Sequence, residues 1–130
     1  MSKICIFCKI IDREIPSYKI FETALSYAFL DTGPLSEGHT LVIPKYHAKF
    51  LHELPDENLA DILPVAKKVA IATGADQYNL LQVVEHVHFH IIPKPNDKEG
   101  LGITWPSTNP SKEEKDATAE RMLKKLQSLN

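Results

Sequence analysis

The chain has 130 residues, 43% of them apolar and 25% charged, enough for one domain with a substantial core. A net charge of -2 gives no footprint for nucleic acid or an anionic membrane, and no apolar run is long enough to span a bilayer. Two cysteines, Cys5 and Cys8, do not make a secreted disulfide framework and Met1-Ser2-Lys3 opens no signal-peptide pattern, so the expected place is the cytosol or nucleus.

In chain order, Cys5 and Cys8 come first, as a Cys-x-x-Cys pair. A tetrahedral structural zinc would need two further ligands, and two buried thiols or a redox pair are the competing readings. The stretches 19–22 and 26–30 read as strands joined by a short turn near Thr23-Ala24, and Asp31-Thr32-Gly33-Pro34 is turn chemistry. A third strand, 39–43, is rich in β-branched residues and stops at Pro44. Over 55–73 the apolar positions Leu59, Ile62, Leu63, Ala66, Val69 and Ala70 follow helical spacing, with a kink expected at Pro64 and a stop at Gly74. The stretch 79–92 is strand-like. A last helix begins at Ser111, where Ser111 and Glu114 form a capping-box pattern; its stripe of Ala119, Met122, Leu123 and Leu126 reads as a packing face. The sum is an α+β fold: an antiparallel sheet, one long helix and a C-terminal helix.

The densest chemistry lies in His86-Val87-His88-Phe89-His90-Ile91-Ile92. In an extended strand the three histidines share one face, roughly 6.6–7 Å apart, while Val87, Phe89 and Ile91 face a core. Such a face suits a nucleophilic imidazole attacking phosphorus, with neighbours that fix its tautomer and handle protons. It equally suits zinc with an open coordination position. Sequence order alone leaves both open.

This run resembles the His-φ-His-φ-His-φ-φ motif (φ apolar) of the histidine-triad, or HIT, superfamily. Cys5-Ile6-Phe7-Cys8-Lys9-Ile10-Ile11 with Glu14-Ile15-Pro16-Ser17 is similar to the amino-terminal signature of its Hint branch. Ala28-Phe29-Leu30-Asp31 and Gly38-His39-Thr40-Leu41-Val42-Ile43-Pro44-Lys45-Tyr46-His47 resemble two further family segments, in order. The likeness covers about 4–94, within a single domain of 1–130 whose stretch 95–130 is an extension. It implies a homodimeric α+β protein that hydrolyses purine nucleoside 5′-phosphoramidates or related nucleotidyl bonds through a covalent nucleotidyl-histidine, with no organic cofactor. It further implies that His88 is the nucleophile and that His90 and His39 orient it and manage protons. Asp31 would bind the ribose hydroxyls, and Phe7, Ile10, Phe29, Leu30 and Val84 would enclose the nucleotide with His88 and His90. Cys5, Cys8, His47 and His86 would hold a structural zinc. His52 matches nothing of use and reads as a surface residue. Trp105-Pro106 resembles a family Trp-Pro that reaches the partner's site, although here the chain runs well past it.

One departure stands out. Family members have about eight residues, with a turn glycine, between a strand like Tyr78-Asn79-Leu80-Leu81 and the triad strand, and those residues serve the phosphate. Here Gln82 runs straight into Val83-Val84-Glu85-His86 with no obvious place to reverse. The expectation is a break between about Gln82 and Val83, with residues missing from the chain. The alternatives to the enzyme are a catalytically weak nucleotide-binding module, if the loop is lost, and a metal-dependent hydrolase using the triad as ligands.

Overall fold

Alternation of buried and exposed side chains builds one antiparallel sheet and decides which histidine faces what. Strands β1 (Lys19–Glu22), β2 (Ser26–Leu30), β3 (Thr40–Pro44), β4 (Tyr78–Val83) and β5 (His88–Pro93) lie in the order β1-β2-β3-β5-β4, each neighbouring pair antiparallel. The structure is a computed structural model that describes residues 5–84 and 86–129. Residue 4, the expected start of the family likeness, and Glu85, expected in the triad strand, lie outside the described residues.

Helix α2 (Asp56–Thr73) covers one sheet face. Its Ile62, Val65, Ala66, Val69 and Ala70, at helical spacing, pack on Ala28, Val42, Phe89 and Ile91, and each fully buried Val or Ile contributes about 1.5–3 kcal/mol. The helix runs on through Pro64, which sits on its exposed side, and ends at Gly74, whose left-handed φ of 76° a side chain would strain. The Thr23 and Ser26 hydroxyls donate to the Asp61 carboxylate at 2.7 and 2.6 Å, fastening the β1–β2 hairpin to α2. The opposite face carries Tyr27, Phe29, Leu41 and Ile43. It is covered by Ile10 of the short helix α1 (Ile6–Ile11), with Phe7, Ile11 and Ile15 at the rim. Since Phe89 and Ile91 point toward α2, His88 and His90 point to this second face.

The expected break is absent, and the turn lies elsewhere. Gln82 and Val83 are consecutive residues of β4, paired with Phe89 and His88 of β5. Val83 pairs with His88, so the chain reverses between them, in a stretch the sequence reading placed inside a strand. His86 adopts a left-handed φ of 51° there, which costs a non-glycine residue about 1–2 kcal/mol. Tertiary anchors hold it: the His86 Nε2–H donates to the Pro44 carbonyl at 2.8 Å, and the Val87 N–H to the Ala48 carbonyl at 2.7 Å. The three-histidine strand face is thereby corrected to two. His88 and His90 share the β5 face, ring centroids 5.0 Å apart, and His86 stands in the turn before it.

Helix α3 (Lys112–Gln127) starts where expected. The Ser111 hydroxyl accepts from the Glu114 N–H at 3.1 Å, and the Glu114 carboxylate accepts from the Ser111 N–H at 2.9 Å. Its apolar stripe, expected to pack, covers nothing in this chain: every described residue from 102 to 129 is exposed. Among the described residues no helix is long and apolar enough to cross a membrane.

Candidate functional site

Hydrogen bonds around the β5 histidines assign each ring its proton. The only hydrogen-bonding atom that the His86 backbone offers to His88 Nδ1, at 3.0 Å, is its carbonyl oxygen, so Nδ1 of His88 carries the proton. A neutral His88 then presents a free lone pair on Nε2, the atom a nucleophile needs. The Leu35 N–H donates to Nδ1 of His39 at 3.1 Å, so neutral His39 carries its proton on Nε2. That Nε2–H donates to Nδ1 of His90 at 2.8 Å, which leaves the His90 proton on its own Nε2. Asp31 Oδ2 lies 3.3 Å from His39 Nε2 and 3.8 Å from His90 Nδ1, while its Oδ1 accepts from the Gly33 N–H at 2.8 Å.

Burial keeps these rings neutral. It pushes His39 and His88 below the ordinary 6.5, opposed in part by the Asp31 carboxylate. His90 falls furthest, to about 4, because repulsion from His88 and His39 adds to burial. The arrangement is a neutral imidazole with a free Nε2 lone pair and a proton-bearing Nε2 on its neighbour, beside a carboxylate.

A second constellation forms at the turn. Cys5, Cys8, His47 and His86 each offer a ligand atom, all within 4.8 Å of one another. His86 Nδ1 lies 3.2 Å from Cys5 Sγ and 3.5 Å from Cys8 Sγ, and His47 Nδ1 lies 3.2 Å from Cys8 Sγ. A tetrahedral zinc with ordinary bond lengths needs ligand–ligand edges of roughly 3.3–3.8 Å, so small shifts suffice. The Pro44 carbonyl fixes the His86 proton on Nε2 and turns the Nδ1 lone pair toward the thiols, the orientation a metal ligand requires. Without metal the Cys8 thiol is pushed up to about 11, by burial first and then by Cys5 beside it. The donor set fits zinc. It also removes His86 from the company of His88 and His90, so the triad does not converge on one metal as the hydrolase alternative requires.

The other residues expected at the site divide by position. Phe7 stacks obliquely near His88, centroids 4.6 Å apart, and near Phe29 at 6.2 Å; Ile10 and Phe29 share the cluster behind them. Leu30 follows Phe29 in β2 and points to the other face, and Val84 sits exposed in the turn. His52 is exposed and stacked on Phe50, and Trp105 is 83% exposed. Sequence reasoning missed a cleft of about 250 Å³ beside Ile10, where the Ser17 and Tyr27 hydroxyls meet at 3.0 Å below Arg13 and Lys19. No motif announces it, because it forms only when α1 packs on β2.

Known proteins place this geometry in a family. Residues 12–97 match the HIT domain. The adenosine 5′-monophosphoramidase hnt1 of Schizosaccharomyces pombe is 55% identical over 130 residues, covering 94% of this chain and 98% of that one. The crystal structure of a histidine triad nucleotide-binding protein from Candida albicans is 42% identical, covers 97% of this chain and 99% of that chain, and superposes with a TM-score of 0.90. A hypothetical protein from Leishmania major is 43% identical, covers 98% of this chain and 99% of that chain, with a TM-score of 0.88. The chain belongs to the HIT domain family.

Proposed function

We propose that the protein hydrolyses purine nucleoside 5′-phosphoramidates, or closely related nucleotidyl substrates, through a nucleotide held covalently on His88. The observation that carries this is the free Nε2 lone pair of His88, set by the bond between its Nδ1–H and the His86 carbonyl. Nε2 attacks phosphorus, the phosphorus–nitrogen bond breaks, and the amine leaves with a proton drawn from solvent while His90 Nε2–H hydrogen-bonds the departing nitrogen. Water then attacks phosphorus and releases to solvent the proton that balances the one taken by the amine, the bond to His88 breaks, and the nucleoside monophosphate departs. His39 keeps the His90 proton on the outward nitrogen. Asp31 accepts from the ribose hydroxyls, and Phe7, Ile10 and Phe29, which share the histidine face of the sheet, supply the apolar surroundings of the base, while Leu30 on the α2 side and Val84 in the turn take no part. The S. pombe relative, an adenosine 5′-monophosphoramidase by name, supports the same substrate class.

In this reading Cys5, Cys8, His47 and His86 would hold zinc, which when bound ties the amino-terminal helix to the turn before β5. The protein works as a homodimer that pairs through α2 and the open edge of β4, where Leu63, Ile71, Tyr78 and Leu80 stand exposed. The short 84–87 turn favours a second reading, a nucleotide-binding module of weak catalysis, since few backbone amides are left there to hold phosphate. Incubation with adenosine 5′-phosphoramidate, following release of AMP, separates the two. Turnover that survives a chelator while thermal stability falls supports the enzyme with a structural metal. Nucleotide binding without AMP release supports the second reading.

A further inference from the structure

Two residues of the apolar cluster beside the histidines, Ile10 and Tyr27, also line the cleft of about 250 Å³. That volume is below what a whole small ligand occupies, and it suits the end of a ligand held next door. The cleft is polar where Ser17 Oγ and Tyr27 Oη hydrogen-bond each other at 3.0 Å. Both groups are held. Tyr27 is 4% exposed, its ring 5.9 Å from that of Phe29 in β2. Ser17 follows the turn after α1, where Arg13 takes a left-handed φ of 65°. There the Glu14 and Ile15 N–H groups donate to the Lys9 carbonyl at 2.9 and 3.3 Å, and the reversed chain brings Ser17 to Tyr27.

A bond between two hydroxyls uses one donor and one acceptor. What remains is one free O–H beside one oxygen with free lone pairs, and reversing the bond exchanges which residue offers which. Adenine presents a 6-amino donor next to the N1 acceptor. Guanine presents the opposite order, a 6-oxo acceptor next to N1–H. A pair whose proton order inverts answers either edge.

We propose that Ser17 and Tyr27 are specificity-determining residues that hydrogen-bond the 6-substituent and N1 of the purine, and that they take an amino or an oxo group there alike. The inference rests on the substrate class proposed above. A second anionic group is the competing occupant, since Arg13 and Lys19 stand at the mouth. Both are exposed, however, and both are engaged by the Glu22 carboxylate, at 3.6 and 3.2 Å, which also takes Lys45 at 2.7 Å. An anion would compete with that carboxylate at a solvated rim, where ion pairs gain little. Because the hydroxyls satisfy each other in the empty cleft, a base without a 6-substituent strands neither of them. The preference is therefore about tenfold, far from the 10⁴ of a site whose polar groups go unpaired.

The test is titration calorimetry of the full chain with AMP, GMP and purine riboside 5′-monophosphate, which lacks the 6-substituent. AMP release from adenosine 5′-phosphoramidate is followed beside it. The wild type is expected to bind AMP and GMP with similar affinity, each about tenfold tighter than purine riboside monophosphate. A Ser17→Ala/Tyr27→Phe variant, which keeps the aromatic ring in its cluster, loses that preference. In turnover its KM rises about tenfold or more while kcat holds, the mark of a contact made equally in ground and transition states. A variant that weakens for all three nucleotides by one factor has lost packing alone and overturns the proposal. So does a variant that keeps the wild-type preference, or a wild type that has none. Binding with the expected preference but without AMP release strikes the hydrolysis and leaves the hydroxyl pair standing. A wild type that binds none of the three overturns both.

Discussion

Four imidazoles make up the candidate site: backbone groups place the protons of His39, His86 and His88, and the His39 ring places that of His90, none of it encoded in a sequence pattern. The candidate residues were legible because His88, His90 and His39 are polar points in apolar strands. Their tautomers were not, since they depend on the Leu35 N–H and on the His86 and Pro44 carbonyls arriving from distant positions. Replacing His88 with Ala removes the free Nε2 lone pair that attacks phosphorus in the proposed reaction, so turnover should fall about 10³-fold or more, with nucleotide affinity little changed. Steady-state kinetics beside equilibrium binding of AMP checks both halves. His90 gives a stability prediction with a definite sign. Its folded value of about 4 lies below the 6.5 of an unfolded histidine, and His39 is lowered too. The unfolded chain therefore binds protons that the fold refuses. Stability is complete above pH 6.5 and declines as pH falls toward about 4, which thermal melts across that window will show. In a His90→Gln variant the decline should be shallower.

At the scale of elements, local rules sufficed wherever an element's own residues decide its fate. β1 and β2 form over the predicted residues, and Ser111 caps α3 as its box pattern demands. They failed at 84–87, because Val83, Val84 and Val87 are strand formers and no Asn-Gly or Gly marks a turn. The reversal is imposed from outside, by the Pro44 and Ala48 carbonyls and by the thiols that face the His86 ring. The cluster of Cys5, Cys8, His47 and His86 and the turn are thus one structural unit. Loading zinc onto the free protein should release protons, since the Cys8 thiol at about 11 must ionise to bind. Cys8→Ser should cut zinc affinity and lower the melting temperature, and should loosen the turn, read as faster exchange of the Val87 amide. A Cys8→Ser protein with unchanged metal content and melting temperature would remove zinc from the account.

For the molecule as a whole, one sheet separates two tasks. Its α2 side is plain packing, Ile62 and Val69 against Val42 and Ile91, and this the 3.6-residue period foretold. Its other side holds α1, the aromatic cluster and the histidines, brought together from Phe7 and Ile10 of α1 and from β2, β3 and β5. Motif order made that assembly legible only as a resemblance, and the α3 stripe was legible as apolar but not as unpartnered. The claim on which everything else depends is the covalent nucleotide on His88. Rapid quenching of the protein with adenosine 5′-phosphoramidate, followed by peptide mass spectrometry, tests it most directly. The account predicts an adenylyl group on the peptide containing His88, formed as fast as the amine is released and absent from His88→Ala. AMP release at full rate with no adduct on that peptide, or with the adduct on another residue, would contradict it.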